Sequence, residues 1–285
     1  IFNYYLIVIK IIKFLLRIVS QLFIKLKLIY LAKFFSSIRA SLLIKKFVNV
    51  SFDGEDWIYK WNKSAAVSSV NYYDPNFNYS DLDLFFFKYT PKNGDIVVNI
   101  GVENGSEIPE FCNCVGPTGK VYAIEADPNC CRRLEKLKKI LKLENLIIIY
   151  MAVGSCEKTV KLSQEENEIS NSTVAKKNFN KKFLYVRQKK LDEILKPFNE
   201  TKINYIKSNI EGSEKELLIG LNKSKLFIEN WCISCHDFKG IEFKSYDFVL
   251  SWLKKSGYKI SNYKPQNIKN IWRNYYLYGS KIIND

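Results

Sequence analysis

The sequence predicts an α/β fold: a mostly parallel central sheet with helices on both faces, preceded by an amphipathic helical segment. Three observations carry that reading. Asp95-Ile-Val-Val-Asn-Ile-Gly-Val-Glu-Asn-Gly105 is an apolar strand running into a glycine turn. Val121-Tyr-Ala-Ile-Glu-Ala-Asp-Pro128 is a second apolar strand that ends in an acid. Tyr205-Ile-Lys-Ser-Asn-Ile-Glu-Gly-Ser-Glu214 is a further strand that ends in acid and glycine. Open α/β sheets bind nucleosides at strand ends of this kind.

Residues 1–52 carry nine basic residues and no acid, with Ile, Leu, Phe, Val and Tyr between them. Lys10, Lys13 and Arg17 share one helical face, which Ser20 and Gln21 continue. No uncharged run reaches the roughly 18 residues of a spanning helix. Apolar area for insertion, together with cations for anionic headgroups, predicts a basic amphipathic helix lying in a membrane interface. Packing of that helix on the following domain or on a second subunit is the alternative. Charges interrupt every apolar stretch, which argues against a secretory signal. Residues 53–93 are aromatic and acidic by comparison and form a helical lead-in, with a helix around residues 81–89. Pro91-Lys-Asn-Gly94 turns into the main domain, residues 94–285.

Strands and helices then alternate. Residues 95–100 read as strand, 106–114 as helix, 116–119 as turn and 120–124 as strand. Residues 129–143 form a helix with a basic outer face, 146–151 a third strand and 158–162 a short further strand. Residues 163–182 are polar and rich in Asn, Ser and Lys. They read as a loop long enough to serve as a lid or substrate loop. Strand 183–188, short helix 191–195, strand 204–207, helix 213–221, strand 225–234 and helix 245–256 follow. Residues 258–260 and 274–278 are expected to close the sheet edge as a hairpin.

The chain has 285 residues, enough for one α/β domain with additions or for two small domains. Apolar residues make up 47%, which excludes global disorder. A net charge of +15 favours acidic partners: phosphates, anionic lipid or anionic glycans. Asn, Ile, Lys, Tyr and Phe are all abundant, so part of the lysine excess is attributable to composition. The seven cysteines are odd in number and irregularly spaced, which argues against a disulfide framework and fits a reducing, cytoplasmic compartment. The chain opens at Ile1 rather than Met, which leaves its true N-terminus open.

The turn after residue 100 has the spacing G-x-x-x-G, at Gly101 and Gly105. A dinucleotide fingerprint requires G-x-G-x-x-G, so a pyrophosphate is disfavoured. A nucleoside without phosphate, such as S-adenosylmethionine, fits better. Glycine at both ends would let the backbone approach such a ligand. Glu125 lies 24 residues after Gly101, at the end of the second strand, where an acid can accept two hydrogen bonds from a ribose diol. Asp127 is the nearby alternative.

These residues resemble the FkbM-type methyltransferases, a branch of the class I S-adenosylmethionine-dependent enzymes with a Rossmann-like fold. The resemblance runs from about Asp95 to Cys235. Asn99-Ile-Gly-Val-Glu-Asn-Gly105 lies on a motif similar to D-x-G-A-N-x-G, and Glu125-Ala-Asp-Pro128 on E-P-x-P. The Leu- and Lys-rich stretch 133–143 matches the family's helix, and Ala152-Val-Gly154 its small-residue turn. Lys190-Leu-Asp-Glu-Ile194 resembles T-L-D-x-L. The most specific element, K-I-D-V-E-G-x-E, is matched by Lys207-Ser-Asn-Ile-Glu-Gly-Ser-Glu214. Three of the departures from the pattern exchange an acid and an amide. Asn99 and Asn209 stand where the motifs have Asp, and Glu103 stands where they have Asn.

The resemblance implies a cofactor site built from Asn99, Gly101, Glu103, Gly105, Glu125, Ala126, Met151 and Ala152, with Met151 and Ala152 bordering the adenine. It implies a hydroxyl acceptor on a sugar, glycolipid or related metabolite. Methyl transfer asks mainly for in-line alignment of the nucleophile and exclusion of water, and a hydroxyl acceptor also benefits from a base. The candidate catalytic residues are His236, Glu211 and Asn209. A structural role for His236, and a helix-capping role for Glu211, are the alternatives. Asn carries no charge, so a membrane-attached binding protein that has lost turnover is the rival function. Cys232-Ile-Ser-Cys-His236 fits a haem-attachment pattern but ends an expected buried strand. No metal site is expected, because Cys112 and Cys114 are too closely spaced and lack a second ligand pair. No nucleic-acid module appears. A dehydrogenase would need the missing third glycine. The oligomeric state stays open.

Overall fold

The computed structural model describes residues 2–163, 183–263 and 270–281. All of the expected loop but residue 163 lies outside the described residues. The chain divides into two compact units. The first comprises residues 1–81, 104–109 and 133–142; the second comprises 82–103, 110–132 and 143–285.

The first unit begins with two helices, α1 (Phe2–Lys25) and α2 (Ile29–Ile44), where the sequence reads as one helical segment. Lys27 breaks the run by adopting a left-handed φ of 60°, and Leu28 N–H donates back to the Phe23 carbonyl at 2.8 Å. Small residues Ala32, Ser36 and Ala40, four apart along α2, are buried. The Ser20 hydroxyl donates to the Ala32 carbonyl at 2.9 Å and lies 2.7 Å from the Ser36 hydroxyl. Ser20 and Arg17 of the polar stripe therefore face their own unit, with the Arg17 guanidinium 3.9 Å from the centre of the Tyr72 ring, while Lys10 stays exposed.

Residues 49–68 form a sheet that the helical reading of residues 1–52 and 53–93 missed. Strands β1 (Asn49–Phe52), β2 (Trp57–Trp61) and β3 (Ser64–Ser68) pair antiparallel in that order. Trp57, Tyr59 and Trp61 alternate inward, as period-two burial requires. Asn62 makes the turn with φ 46°, a conformation that Asn tolerates better than most residues. A short helix, α3 (Phe77–Ser80), follows. Lys136 ties the unit together by pairing with Asp53 at 2.8 Å, Glu55 at 3.2 Å and the buried Asp56 at 2.5 Å.

In the second unit, α4 (Leu82–Phe85) leads into β4 (Ile96–Ile100), α5 (Ile108–Val115), β5 (Lys120–Glu125), α6 (Pro128–Leu141) and β6 (Leu146–Tyr150). Next come β7 (Ala152–Val153), β8 (Lys158–Ser163), β9 (Phe183–Lys189) and α7 (Leu191–Leu195). The chain continues with β10 (Lys202–Ser208), α8 (Glu214–Gly220), β11 (Phe227–Ser234), α9 (Tyr246–Lys255), β12 (Tyr258–Asn262) and β13 (Tyr276–Lys281). Parts of α5 and α6 belong to the first unit.

The central sheet has seven strands in the order β12-β13-β11-β10-β4-β5-β6. Strands β11, β10, β4, β5 and β6 are parallel, while β13 runs antiparallel to both its neighbours. The expected edge hairpin is present, with β13 rather than β12 on the inner side. Buried residues such as Val98, Ile124, Ile206 and Ile233 on these strands supply the core. The chain builds outward from β4 through β5 and β6, then returns to add β10 and β11 on the other flank. That reversal beside β4 is where doubly wound sheets open a ligand crevice at their carboxyl ends. A second sheet in this unit has three strands in the order β7-β9-β8.

Candidate active site

The strand ends of the second unit enclose a cleft of ≈ 560 Å³, open to solvent. Its lining includes Gly101 and Glu103 after β4, Glu125 and Ala126 at the end of β5, Met151 and Ala152 after β6, and Asn209, Glu211 and Ser213 after β10. Six of the eight expected cofactor residues thus meet in one cavity. Asn99 is fully buried within β4 and does not line it. Gly105 belongs to the first unit, where an added Cβ would stand 2.4 Å from Leu134 Cδ2.

The bend after β4 is fixed from two sides. Gly101 has φ 73°, and a Cβ there would lie 1.9 Å from the Asn209 carbonyl oxygen. The glycine is required by protein backbone packing against it, a different reason from the ligand approach expected from the sequence. The buried Lys207 ammonium donates to the Gly101 carbonyl at 3.0 Å. Lys207 is a positioning residue that the motif contained but whose task the sequence did not disclose.

Glu125 turns its carboxylate toward the bend. One oxygen accepts the Val102 and Glu103 amides, both at 2.9 Å; the other accepts Ala126 at 2.7 Å and Asp127 at 2.9 Å. Burial raises the carboxyl pKa, and the four backbone donors oppose that rise. This one side chain locks the loop after β4 to the end of β5.

Two of the three acid–amide departures from the expected motifs face each other. The Asn209 side-chain amide donates to Glu103 Oε1 at 3.3 Å. The motif pattern would place an amide at 103 and an acid at 209, so the acid–amide pair is kept with its members exchanged. Glu103 and Glu211 both adopt left-handed φ, 54° and 53°. Such values are uncommon outside glycine and asparagine, and they concentrate at ligand sites.

Behind Glu211 sits a buried ionic cluster. His236 Nδ1 lies 2.7 Å from Glu214 Oε1, and Nε2 lies 3.3 Å from Glu211 Oε1. Lys239 also pairs with Glu211. His236 does not line the cleft; it is 2% exposed. Burial works against its protonation, yet the charges of Glu214 and Glu211 outweigh burial and push its pKa up to about 9. Burial likewise opposes ionisation of Glu211, but His236 and Lys239 win and its pKa is lowered. Glu214, fully buried, is the partner that sequence reasoning missed. It lies 22 residues from His236, and only folding brings the two together.

The cleft pairs apolar walls, Met151, Ala152, Val153 and Leu162, with the carboxylates of Glu103, Glu125 and Glu211. That combination suits a nucleoside carrying a positive charge. Among the described residues no cluster of His, Cys, Asp and Glu could hold a metal ion. The seven cysteines are free thiols.

Residues 95–260 match the family model described as the methyltransferase FkbM domain. No curated protein matches the chain. Among solved structures it is similar to a methyltransferase FkbM from Methylobacillus flagellatus, at 16% identity and a TM-score of 0.48, covering 71% of this chain and 47% of that one. The chain therefore spans under half the length of that relative. It is also similar to a SAM-dependent methyltransferase from Aquifex aeolicus, with 19% identity, TM-score 0.41, and 73% and 97% of the two chains covered. A fibrillarin from Aeropyrum pernix, solved with bound S-adenosyl-L-methionine, shows 12% identity, TM-score 0.41, and coverage of 81% and 98%.

Proposed function

Since the chain belongs to the FkbM-domain methyltransferase family, we propose that it binds S-adenosylmethionine in the cleft after β4 and methylates a hydroxyl of a sugar, glycolipid or related metabolite. The observation that carries the reading is the convergence of Gly101, Glu103, Glu125, Met151 and Ala152 on one cleft at the switch point of the sheet. When bound, the cofactor supplies a methyl group already activated on sulfur. Met151 and Ala152 flank its base, and Glu125, its carboxylate occupied by four backbone amides, keeps the bend closed beside the ribose. Glu103, held by Asn209, adds negative charge for the cationic end of the ligand.

The acceptor hydroxyl is oriented by Glu211, the member of the ionic cluster that lines the cleft. His236 is a positioning residue in this reading. Protonated at neutral pH, it fixes Glu211 from behind and takes no proton from the acceptor. Asn209 positions Glu103. A base role for His236 would require a neutral imidazole in reach of the cleft.

Among the described residues no helix is long and apolar enough to cross a membrane. The proposal includes residues 1–52 resting on an anionic membrane surface, where glycolipid acceptors are assembled. Its support is the run of nine cations without an acid. Calorimetric titration with S-adenosylhomocysteine tests cofactor binding. Methyl transfer from labelled S-adenosylmethionine to a glycan or glycolipid fraction tests the reaction. Binding without transfer would point to the rival binding protein; absence of binding would remove the cofactor assignment.

A further inference from the structure

The first unit carries an open groove of ≈ 1310 Å³ along one face of α2 and the chain that follows it into β1. Phe34, Leu42 and Phe47 give it an apolar lining and are 58%, 40% and 79% exposed. Lys33, Lys45 and Lys46 stand on the same groove. Ser37 and Ser41 also line it, but their hydroxyls are committed to the backbone amides of Val50 and Val48, each at 2.9 Å. The groove thus offers aromatic and aliphatic surface with three cations and no acid.

The exterior of α1 repeats that chemistry. Ile7, Ile11, Phe14, Leu15, Ile18 and Leu22 are all large, apolar and exposed. Their spacing sets them along one face of the helix. On the same helix Ser20 and Arg17 are turned inward, onto Ser36 and Tyr72. An apolar face left outward and a cationic groove beside it call for an amphiphile with a negative head. A second copy of the chain would bring nine further cations and no acid from the same segment, so like charges would meet across that interface. An anionic headgroup neutralises the lysines while its acyl chains cover the apolar wall.

We infer that the α2–β1 groove is a binding site for one anionic phospholipid of a bilayer, with Lys45 and Lys46 at the C-terminal end of α2 on the phosphate and Phe34, Leu42 and Phe47 on the acyl chains. The inference rests on the membrane-surface reading of residues 1–52 and adds to it a discrete, stoichiometric site.

The test uses the full chain and monomeric dihexanoyl phosphatidylglycerol below its micelle concentration, followed by calorimetry. One lipid binds per chain. The Lys45→Glu/Lys46→Glu variant and, separately, the Phe47→Ser variant bind at least about tenfold more weakly, and so does dihexanoyl phosphatidylcholine to the wild type. Both variants alter exposed or half-exposed side chains, and circular dichroism checks that they fold. Flotation with phosphatidylglycerol vesicles runs in parallel. A wild-type chain that floats with vesicles but takes up no monomeric lipid overturns the groove and leaves the surface reading standing. Failure in both assays removes both. Self-association that the Phe47→Ser variant abolishes, without lipid uptake, would assign the groove to a second copy and overturn the inference. Cofactor binding at the cleft is measured independently and is unaffected by any of these outcomes.

Discussion

Replacing His236 with Gln tests whether the buried imidazole is a fixed cation or a base. Its pKa stands at about 9 in the fold, against 6.5 for an ordinary histidine. A folded-state pKa above the unfolded value adds stability that is fully present below the unfolded pKa and is lost as pH rises through the folded one. The whole shift corresponds to about 3 kcal/mol, most of which disappears between about pH 7 and pH 10. His236 is 2% exposed, so solvent screening removes little of this. Deleting the imidazole also leaves Glu211 and Glu214 facing each other, but that penalty is nearly constant above neutral pH. Urea unfolding of wild type and His236→Gln, at pH steps across this range, gives the stability difference directly. Groups remote from His236 contribute equally to both proteins and cancel. The stability advantage of the wild type shrinks by about 2–3 kcal/mol as pH rises. A difference that stays flat would mean a neutral imidazole at pH 7, and the positioning role would give way to the base role.

Further consequences concern the bend. Exchanging both members of the facing pair, Glu103→Asn with Asn209→Asp, retains S-adenosylhomocysteine affinity within a few-fold, whereas Asn209→Asp alone sets two carboxylates together and weakens it at least about tenfold; calorimetry on the full mutant cycle reads this. Glu125→Gln replaces one acceptor oxygen by a donor, strands two of the four backbone amides and lowers both melting temperature and ligand affinity, by about 1–3 kcal/mol in stability. Gly101→Ala forces a Cβ against the Asn209 carbonyl at a left-handed φ, and thermal unfolding should show at least about 2 kcal/mol lost. In the first unit, Asp56→Asn leaves Lys136 and Arg133 short of their buried partner. The melting temperature falls on a scale of about 3 kcal/mol, with no change at the cofactor site.

The parallel core was readable because its strands are continuous apolar runs bounded by glycine turns. Residues 96–100 and 120–125 announce themselves in that way. The first unit was less readable for identifiable reasons. Trp57-Ile-Tyr-Lys-Trp61 alternates as a strand should, but its turn uses Asn62-Lys63 instead of a glycine pair, and the aromatics read as a lead-in. The break between α1 and α2 falls at Leu26-Lys27-Leu28, with neither proline nor glycine to mark it. At the site, residue identities were legible and their tasks were not. Glycine at 101 was expected, but its neighbour is the Asn209 carbonyl, 108 residues away in sequence. The charge on His236 depends on Glu211 and Glu214, whose approach is decided by how α8 and β11 pack. The inward turn of Ser20 and Arg17 on α1 depends on Ser36 and Tyr72 in the same way.

The most direct measurement is a crystal structure of the full chain with S-adenosylhomocysteine. The adenine should lie against Met151 and Ala152, with the ribose beside the bend that Glu125 holds and the sulfur between Glu103 and Glu211. A ligand bound elsewhere, or a cleft that stays empty at saturating concentration, would contradict the account.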